Sequence, residues 1–178
     1  MAFVCTLSSQ TSPLPVVATF RRSLATLVYP IGYDDEDGRP YRLMVSFGTA
    51  PGGIIEYSFC IVCSHNNGVV HDFWDSKVIA NMIPRDDRRL ILALLLDATT
   101  RLVRDANFPE VTMHTFAFDL PPKALVKYRH IAQVFRNEGY GVRETVRRGQ
   151  YIWWFERETG KTRTQRRKRR FARCRRRR

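Results

Sequence analysis

The sequence lacks long apolar segments and has few cysteines. No apolar run approaches the roughly 18 residues that a membrane-spanning helix needs. We therefore expect a soluble protein, or one that meets a membrane only through its charged end. Four cysteines are too few and too unevenly spaced for a disulfide framework, which favours an intracellular, reducing compartment.

The first 33 residues contain no acidic residue. This stretch is rich in Ser and Thr and contains Arg21 and Arg22, a composition that overlaps that of organellar transit segments. Organellar targeting is therefore one interpretation of it. The other is that residues 19–29 form a first strand or a short helix of the folded body.

Residues 161–178 also lack acids, and they carry twelve of the 30 Lys and Arg residues. The remainder has 18 basic against 17 acidic residues, so a near-neutral body carries a polycationic tail. The tail repels itself and has almost no apolar content, so we expect it to be disordered in the free protein.

Arginine outnumbers lysine in the tail, and its planar guanidinium forms paired hydrogen bonds with phosphate oxygens. This favours nucleic acid or another polyanion as the partner, although a solvated tail or a nuclear-import-like address has the same composition. The tail residues predicted to contact phosphate are Arg166, Arg167, Lys168, Arg169, Arg170, Arg173, Arg175, Arg176, Arg177 and Arg178.

Hydrophobic periodicity predicts one α+β domain in the order strand, strand, strand, helix, strand, helix, strand, strand. The predicted elements are strands at 41–47, 54–64, 69–74, 111–118, 142–146 and 151–155, and helices at 88–107 and 123–139. A hydrophilic turn at 34–38 precedes them. The predicted parts of the chain are an N-terminal segment with an acidic loop (1–40), a core (41–160) and the tail (161–178).

The last predicted hairpin places arginines and aromatic residues close together. Arg147 and Arg148 occupy its turn, and Trp154 lies on its second strand. Alternation puts Tyr151, Trp153 and Phe155 on one face and Trp154 on the other. We predict that Arg147, Arg148 and Trp154 add phosphate contacts and base stacking to the tail, and that one continuous positive surface links the turn to the tail.

Cys60, Cys63, His65 and His71 suggest a zinc site, but strand geometry disfavours it. Positions 60 and 63 of a strand point to opposite faces, so we expect no metal and two buried cysteines. The sequence has no P-loop, dinucleotide fingerprint or nucleophile motif.

Residues 132–140, reading Ala-Gln-Val-Phe-Arg-Asn-Glu-Gly-Tyr, are similar to the late helix of Gcn5-related N-acetyltransferases. The element order over about residues 41–156 also resembles that family. The resemblance implies a mixed, mainly antiparallel twisted sheet flanked by two main helices. It further implies acetyl-CoA or another acyl-CoA as cofactor.

The sequence departs from the family where that cofactor would bind. The family's Gly-containing pyrophosphate loop corresponds to residues 85–90, which lack glycine, and its tyrosine acid corresponds to Phe135. If the protein is nevertheless an acyltransferase, the resemblance assigns Arg85, Arg88 and Arg89 to the phosphates. Glu56 or Asp72 would then act as base and Tyr128 as acid.

The sequence thus favours a nucleic-acid-binding protein with an acetyltransferase-like, non-catalytic core. An N-acyltransferase with a divergent phosphate loop is the first alternative. An interaction module of a nucleoprotein assembly is the second. The choice between DNA and RNA is left open.

Overall fold

The computed structural model describes residues 3–8, 13–64, 70–73, 76–116 and 124–158. The tail and its predicted phosphate contacts lie outside these residues. The described strands are β1 (Phe3–Cys5), β2 (Val17–Arg21), β3 (Leu24–Asp34), β4 (Pro40–Thr49), β5 (Ile55–Ser64), β6 (Val70–Phe73), β7 (Glu110–Phe116), β8 (Tyr140–Arg147) and β9 (Gln150–Arg157). The described helices are α1 (Ser76–Met82), α2 (Arg85–Ala106) and α3 (Ala124–Asn137).

The described strands form one open sheet in the order β1-β3-β4-β5-β7-β9-β8, while β2 pairs with β3 and β6 pairs with β5. Every ladder is antiparallel except that between β5 and β7. This parallel pair is joined by a crossover that contains α2. The predicted α+β class with a mixed, mainly antiparallel sheet is confirmed.

The strands of the N-terminal segment belong to the same sheet as the core. β3 pairs with β4 along nearly its whole length, from Ala25 opposite Phe47 to Tyr33 opposite Pro40. Its alternating residues, Ala25 and Leu27 among them, are fully buried. Residues 19–29 are therefore parts of β2 and β3 joined by a turn, and not a helix. The boundary placed after residue 40 falls at the first residue of β4, which pairs with β3.

The predicted turn at 34–38 is confirmed. Gly38 has φ of 71°, a left-handed conformation that glycine adopts without steric cost. The Asp34 carboxylate accepts a hydrogen bond from the Glu36 backbone N–H at 3.0 Å. This contact is typical of an aspartate that begins a turn.

Both long helices pack on one face of the sheet. On α2, the Tyr57 hydroxyl of β5 donates to Thr99 Oγ1 at 2.6 Å, and Thr99 in turn donates to the Leu95 carbonyl. On α3, the Phe135 ring stacks on Phe155 of β9 with centroids 3.9 Å apart. The core therefore lies between one sheet face and these two helices.

The predicted ends of the helices lie close to the observed ones. α2 ends where Asn107 adopts a left-handed conformation with φ of 49°, and α3 ends before Gly139, whose φ is 87°. Left-handed residues at these positions are common helix stops. No helix in the described ranges is both long enough and apolar enough to cross a bilayer.

Candidate nucleic-acid interface

The β8–β9 hairpin exposes one of two consecutive tryptophans and buries the other. Trp153 is 1% exposed and donates from Nε1 to Glu144 at 3.2 Å, whereas Trp154 is 37% exposed on the opposite face. The predicted alternation of Tyr151, Trp153 and Phe155 against Trp154 is confirmed. Cross-strand pairing aligns Trp154 with Arg143 of β8 and Thr112 of β7.

Around Trp154, polar and apolar side chains form a surface that no described helix covers. It includes Phe116, which is 63% exposed, and His114, which pairs with Ile152 across the β7–β9 ladder. We call this surface the hairpin platform. Its members are His114 and Phe116 of β7, Arg143 and Arg147 of β8, and Ile152 and Trp154 of β9.

Arginines border the platform in two places. The Arg143 guanidinium carbon lies 5.8 Å from the centroid of the Trp154 ring, an arrangement that offers a cation beside an aromatic face. Arg147 ends β8, and Arg148 with Gly149 forms a two-residue turn in which both residues have positive φ, 48° and 72°. This primed turn matches the twist of the strands and fixes the positions of the two arginines.

The platform is not uniformly positive. Glu110 and Glu156 face each other across the β7–β9 ladder at the end of β9 from which the tail leaves. The Arg147–Arg148 turn lies at the other end of β9, about 23 Å away for seven residues of strand. The acidic pair interrupts the positive charge of the described platform between the turn and the end of β9. The continuous positive surface expected from turn to tail stays a prediction, because the tail lies outside the described residues.

Glu56, a candidate base, lies on the same face of the sheet as the platform. Its Oε1 is 2.9 Å from Nδ1 of His114, and its Cα partner on β7 is Thr112. Tyr57, the next residue, points to the helix side. Glu56 and the candidate acid Tyr128 thus lie on opposite faces of the sheet.

Two strands share the outer edge of β5 and leave a gap between them. β7 pairs with β5 at Glu56, and β6 pairs with it from Ile61 to Ser64. Over residues 57–60, β5 has no described ladder partner on this side. We call this opening the β5 edge gap.

The first turns of α3 lie across the β5 edge gap on the helix side. The Tyr128 ring is 5.7 Å from that of Phe59, stacks on Trp153 at 5.4 Å, and bonds through its hydroxyl with Thr115 of β7. Burial raises the pKa of the Tyr128 phenol. The Nζ of Lys127 lies 4.8 Å from the Phe59 ring centroid. These side chains occupy the space between the diverging strands.

The arginines assigned to cofactor phosphates do not lie beside the gap. Arg85, Arg88 and Arg89 are in the first turns of α2, and Arg89 pairs with Asp86 at 3.6 Å. Asp87 in the same turn hydrogen-bonds the thiol of Cys5 in β1. Because β1 is three strands from β5, these arginines are on the order of 14 Å from the gap.

The remaining candidates have simpler surroundings. Phe135 is fully buried among Phe47, Tyr57, Tyr140 and Phe155, with no route to a ligand. Cys60 and Cys63 are both buried in β5. The backbone of Asp72 lies in β6, while its side chain and that of His71 lie outside the described set. Within that set, no group of three or more metal-binding side chains was found.

The structure brings forward three residues that are not among the predicted site residues. Arg143 and His114 gain their positions from cross-strand pairing with Trp154 and Ile152. Lys127 gains its surroundings from Phe59, a distant residue in the chain. Of the three, only Arg143 could have been found from local sequence, because strand alternation places it on the same face of β8 as Arg147.

Comparison with protein-family models, with curated proteins and with solved structures found no match for this chain.

Proposed function

We propose that this protein binds nucleic acid, with the hairpin platform contacting bases and the tail contacting phosphates. The exposed Trp154 ring beside Arg143 is the observation that supports this function best. An aromatic ring on an open sheet face offers a base a stacking partner, and every base has a π-face. Stacking of this kind favours single-stranded ligands, whose bases are free to leave the stack.

The distribution of charge indicates how a bound nucleic-acid strand would be oriented on the platform. The Arg147–Arg148 turn and the tail provide positive charge at opposite ends of β9, with Trp154 between them. A strand held at both ends would cross the platform along β9, over Ile152 and Trp154. Glu110 and Glu156 repel phosphate at the end of β9 that precedes the tail. The phosphates of the bound strand at this end would therefore contact the tail and not the sheet.

Deleting residues 161–178 tests the role of the tail. The deletion removes twelve positive charges, and a tail that engages about half of them with duplex DNA contributes about 5 to the slope of log K against log salt. We expect the slope to fall to about 1 while circular dichroism and thermal unfolding stay unchanged. An equal slope and equal affinity in the truncated protein would refute the proposal for the tail.

We further propose that the body has an N-acetyltransferase-like architecture. The order β3-β4-β5-β7-β9-β8, with the parallel β5–β7 pair and the intervening α2 and α3, supports it. Such an architecture leaves acyl transfer as a second candidate function. The filled β5 edge gap, the distance of the α2 arginines from it and the buried Phe135 argue against cofactor binding.

Isothermal titration with acetyl-CoA separates the two functions. We expect no binding in the micromolar range, because the candidate phosphate ligands and the gap are on different parts of the sheet. Micromolar affinity that is lost in Arg88→Ala would instead support the acyltransferase. Single-stranded DNA titrated into the same sample serves as the positive control.

A further inference from the structure

Four residues from four neighbouring strands form a row across the open face of the sheet. Ladder pairing aligns Arg143 of β8 with Trp154 of β9. It also aligns Trp154 with Thr112 of β7, and Thr112 with Glu56 of β5. Neighbouring strands lie about 4.8 Å apart, so the Cα atoms at the two ends of the row are on the order of 14 Å apart. The row therefore places a cation, an aromatic ring and a carboxylate in that order on one face.

The carboxylate at one end of the row is held in position. Oε1 of Glu56 lies 2.9 Å from Nδ1 of His114, the next residue of β7 after Thr112 on this face. The Glu56 side chain is 29% exposed, and its carboxylate has no further partner among the described residues. A carboxylate repels phosphate, but it accepts hydrogen bonds from the N–H groups of bases. Glu56 is thus suited to contact a base edge and not the backbone of a ligand.

The cation at the other end of the row lies beside the aromatic ring. The guanidinium carbon of Arg143 is 5.8 Å from the centroid of the Trp154 ring, and Trp154 is 37% exposed. The planar guanidinium donates two parallel hydrogen bonds to a matching pair of acceptors. A base that stacks on Trp154 would therefore have hydrogen-bond donors beside one edge and the Glu56 acceptor beside the opposite edge.

Guanine is the base whose edges match this order. Its O6 and N7 acceptors lie on one edge, where arginine binds them in pairs, and its 2-amino group donates from the opposite edge. Adenine has an amino group beside N7 and only acceptors on the opposite edge, while thymine and uracil have no amino group. Cytosine has one amino group but a smaller ring to stack. Only guanine thus combines paired acceptors for Arg143 with a donor for Glu56.

We infer, on the basis of the proposed nucleic-acid function, that the row of Arg143, Trp154 and Glu56 selects guanine in a single-stranded ligand. Stacking on Trp154 alone tolerates any base, because every base has a π-face. The two charged ends of the row supply the preference, since they contact groups that differ from base to base. His114 acts as a positioning residue that orients the carboxylate.

Two other carboxylates lie on the same face near Trp154. Glu110 and Glu156 form the neighbouring row, toward the end of β9, and the residue of β8 aligned with Glu156 is Gly141. This row has neither a cation nor an aromatic ring. We expect its two carboxylates to repel phosphate and to lower the affinity for every base alike. They therefore provide a matched control for Glu56.

The test compares single-stranded DNA oligonucleotides that differ in one base. A thymidine homopolymer and its versions with one central guanine, cytosine or adenine are titrated with the full-length protein, and fluorescence anisotropy reports binding. The guanine version should bind about tenfold more tightly than the homopolymer, as expected for one specific base contact, and more tightly than the other two. Equal affinity for all four would refute guanine selection and leave the proposed function standing. Failure to bind any of them would refute both.

Two guanine analogues test the individual contacts in the native protein. 7-Deazaguanine lacks the N7 acceptor expected to face Arg143, and hypoxanthine lacks the 2-amino group expected to face Glu56. Each replacement should lower the affinity of the guanine version about fivefold, as the loss of one hydrogen bond does. Unchanged affinity with either analogue would overturn the proposed contacts.

Variants assign each contact to its side chain. In Glu56→Ala the difference between guanine and hypoxanthine should disappear, and in Arg143→Ala the difference between guanine and 7-deazaguanine should disappear. Glu156→Ala removes the same charge as Glu56→Ala and should raise the affinity for all oligonucleotides while keeping the guanine preference. Thermal unfolding establishes that each variant is folded. A guanine preference that survives in folded Glu56→Ala, or that is lost in folded Glu156→Ala, would show that Glu56 is not the acceptor.

Discussion

The two faces of the hairpin differ although their residues alternate along the same strand. Trp153 and Phe155 of β9 pack against Tyr128 and Phe135 of α3. Trp154, between them in the chain, lies on the platform beside Arg143. One face is therefore closed by a helix, and the other is available to a partner.

The difference shows why the same residue type serves two purposes. A buried tryptophan contributes by removing apolar area from water, and its indole N–H needs an internal partner such as Glu144. Trp154 keeps 37% of its surface exposed, so it removes less apolar area from water than Trp153 does. Substitutions at the two positions should therefore change different measurements.

The largest expected effect is on stability, at the closed face. Trp153→Ala should lower the free energy of unfolding by about 3–5 kcal/mol, because it leaves a cavity beside Tyr128 and an unpaired Glu144. Urea denaturation measures this loss. A change below about 1 kcal/mol would show that the helix does not close this face as described.

At the open face the effect should be on binding alone. Trp154→Ala should weaken binding of single-stranded DNA or RNA by about 1–3 kcal/mol. It should change the free energy of unfolding by less than about 1 kcal/mol. Fluorescence anisotropy with single-stranded and duplex oligonucleotides measures the selectivity. Phe20→Ala, which removes an exposed aromatic ring from β2, is the matched control and should leave affinity unchanged.

We expect the Arg147–Arg148 turn to contribute a binding free energy similar to or smaller than that of Trp154, without preference for single-stranded ligands. Arg147→Ala combined with Arg148→Ala should weaken binding by about 1–3 kcal/mol and lower the salt slope by about 1–2. Arg88→Ala with Arg89→Ala removes the same charge from α2, on the closed side. Equal losses in the two double variants would mean that net charge, and not the platform, determines affinity.

A pH dependence of stability is also expected at the closed face, where desolvation lowers the pKa of Lys127 from 10.5 to about 8. Between about pH 8 and 10.5 the unfolded chain keeps a proton on Lys127 that the folded protein has lost, so unfolding free energy should rise with pH. Relative to Lys127→Met, the native protein should gain on the order of 1–3 kcal/mol from pH 7 to pH 10. A constant difference between the two proteins across this range would contradict the burial of the amine.

Much of the local structure followed from the sequence. Alternation identified the two faces of β9, and glycines marked the turn after Asp34 and the end of α3. The helical repeat placed α2 within a few residues of its observed ends. These features depend on residues close together in the chain, whose periods of 2 and 3.6 are fixed by backbone geometry.

The partners of each element were harder to obtain from sequence. The sharing of the β5 edge by β6 and β7 depends on ladders between distant segments, which local periodicity does not encode. The distance between α2's arginines and that edge has the same origin, since Asp87 packs by Cys5 at the far side of the sheet.

The sequence by itself determined the polycationic tail, the α+β class and the outward position of Trp154, because composition and alternation are properties of neighbouring residues. Only the tertiary structure paired Glu110 with Glu156 near the end of β9 that precedes the tail. Only the tertiary structure, too, placed Lys127 over Phe59. The pKa of an amine depends on what excludes water from it, and here those groups come from strand and helix segments far apart in the chain.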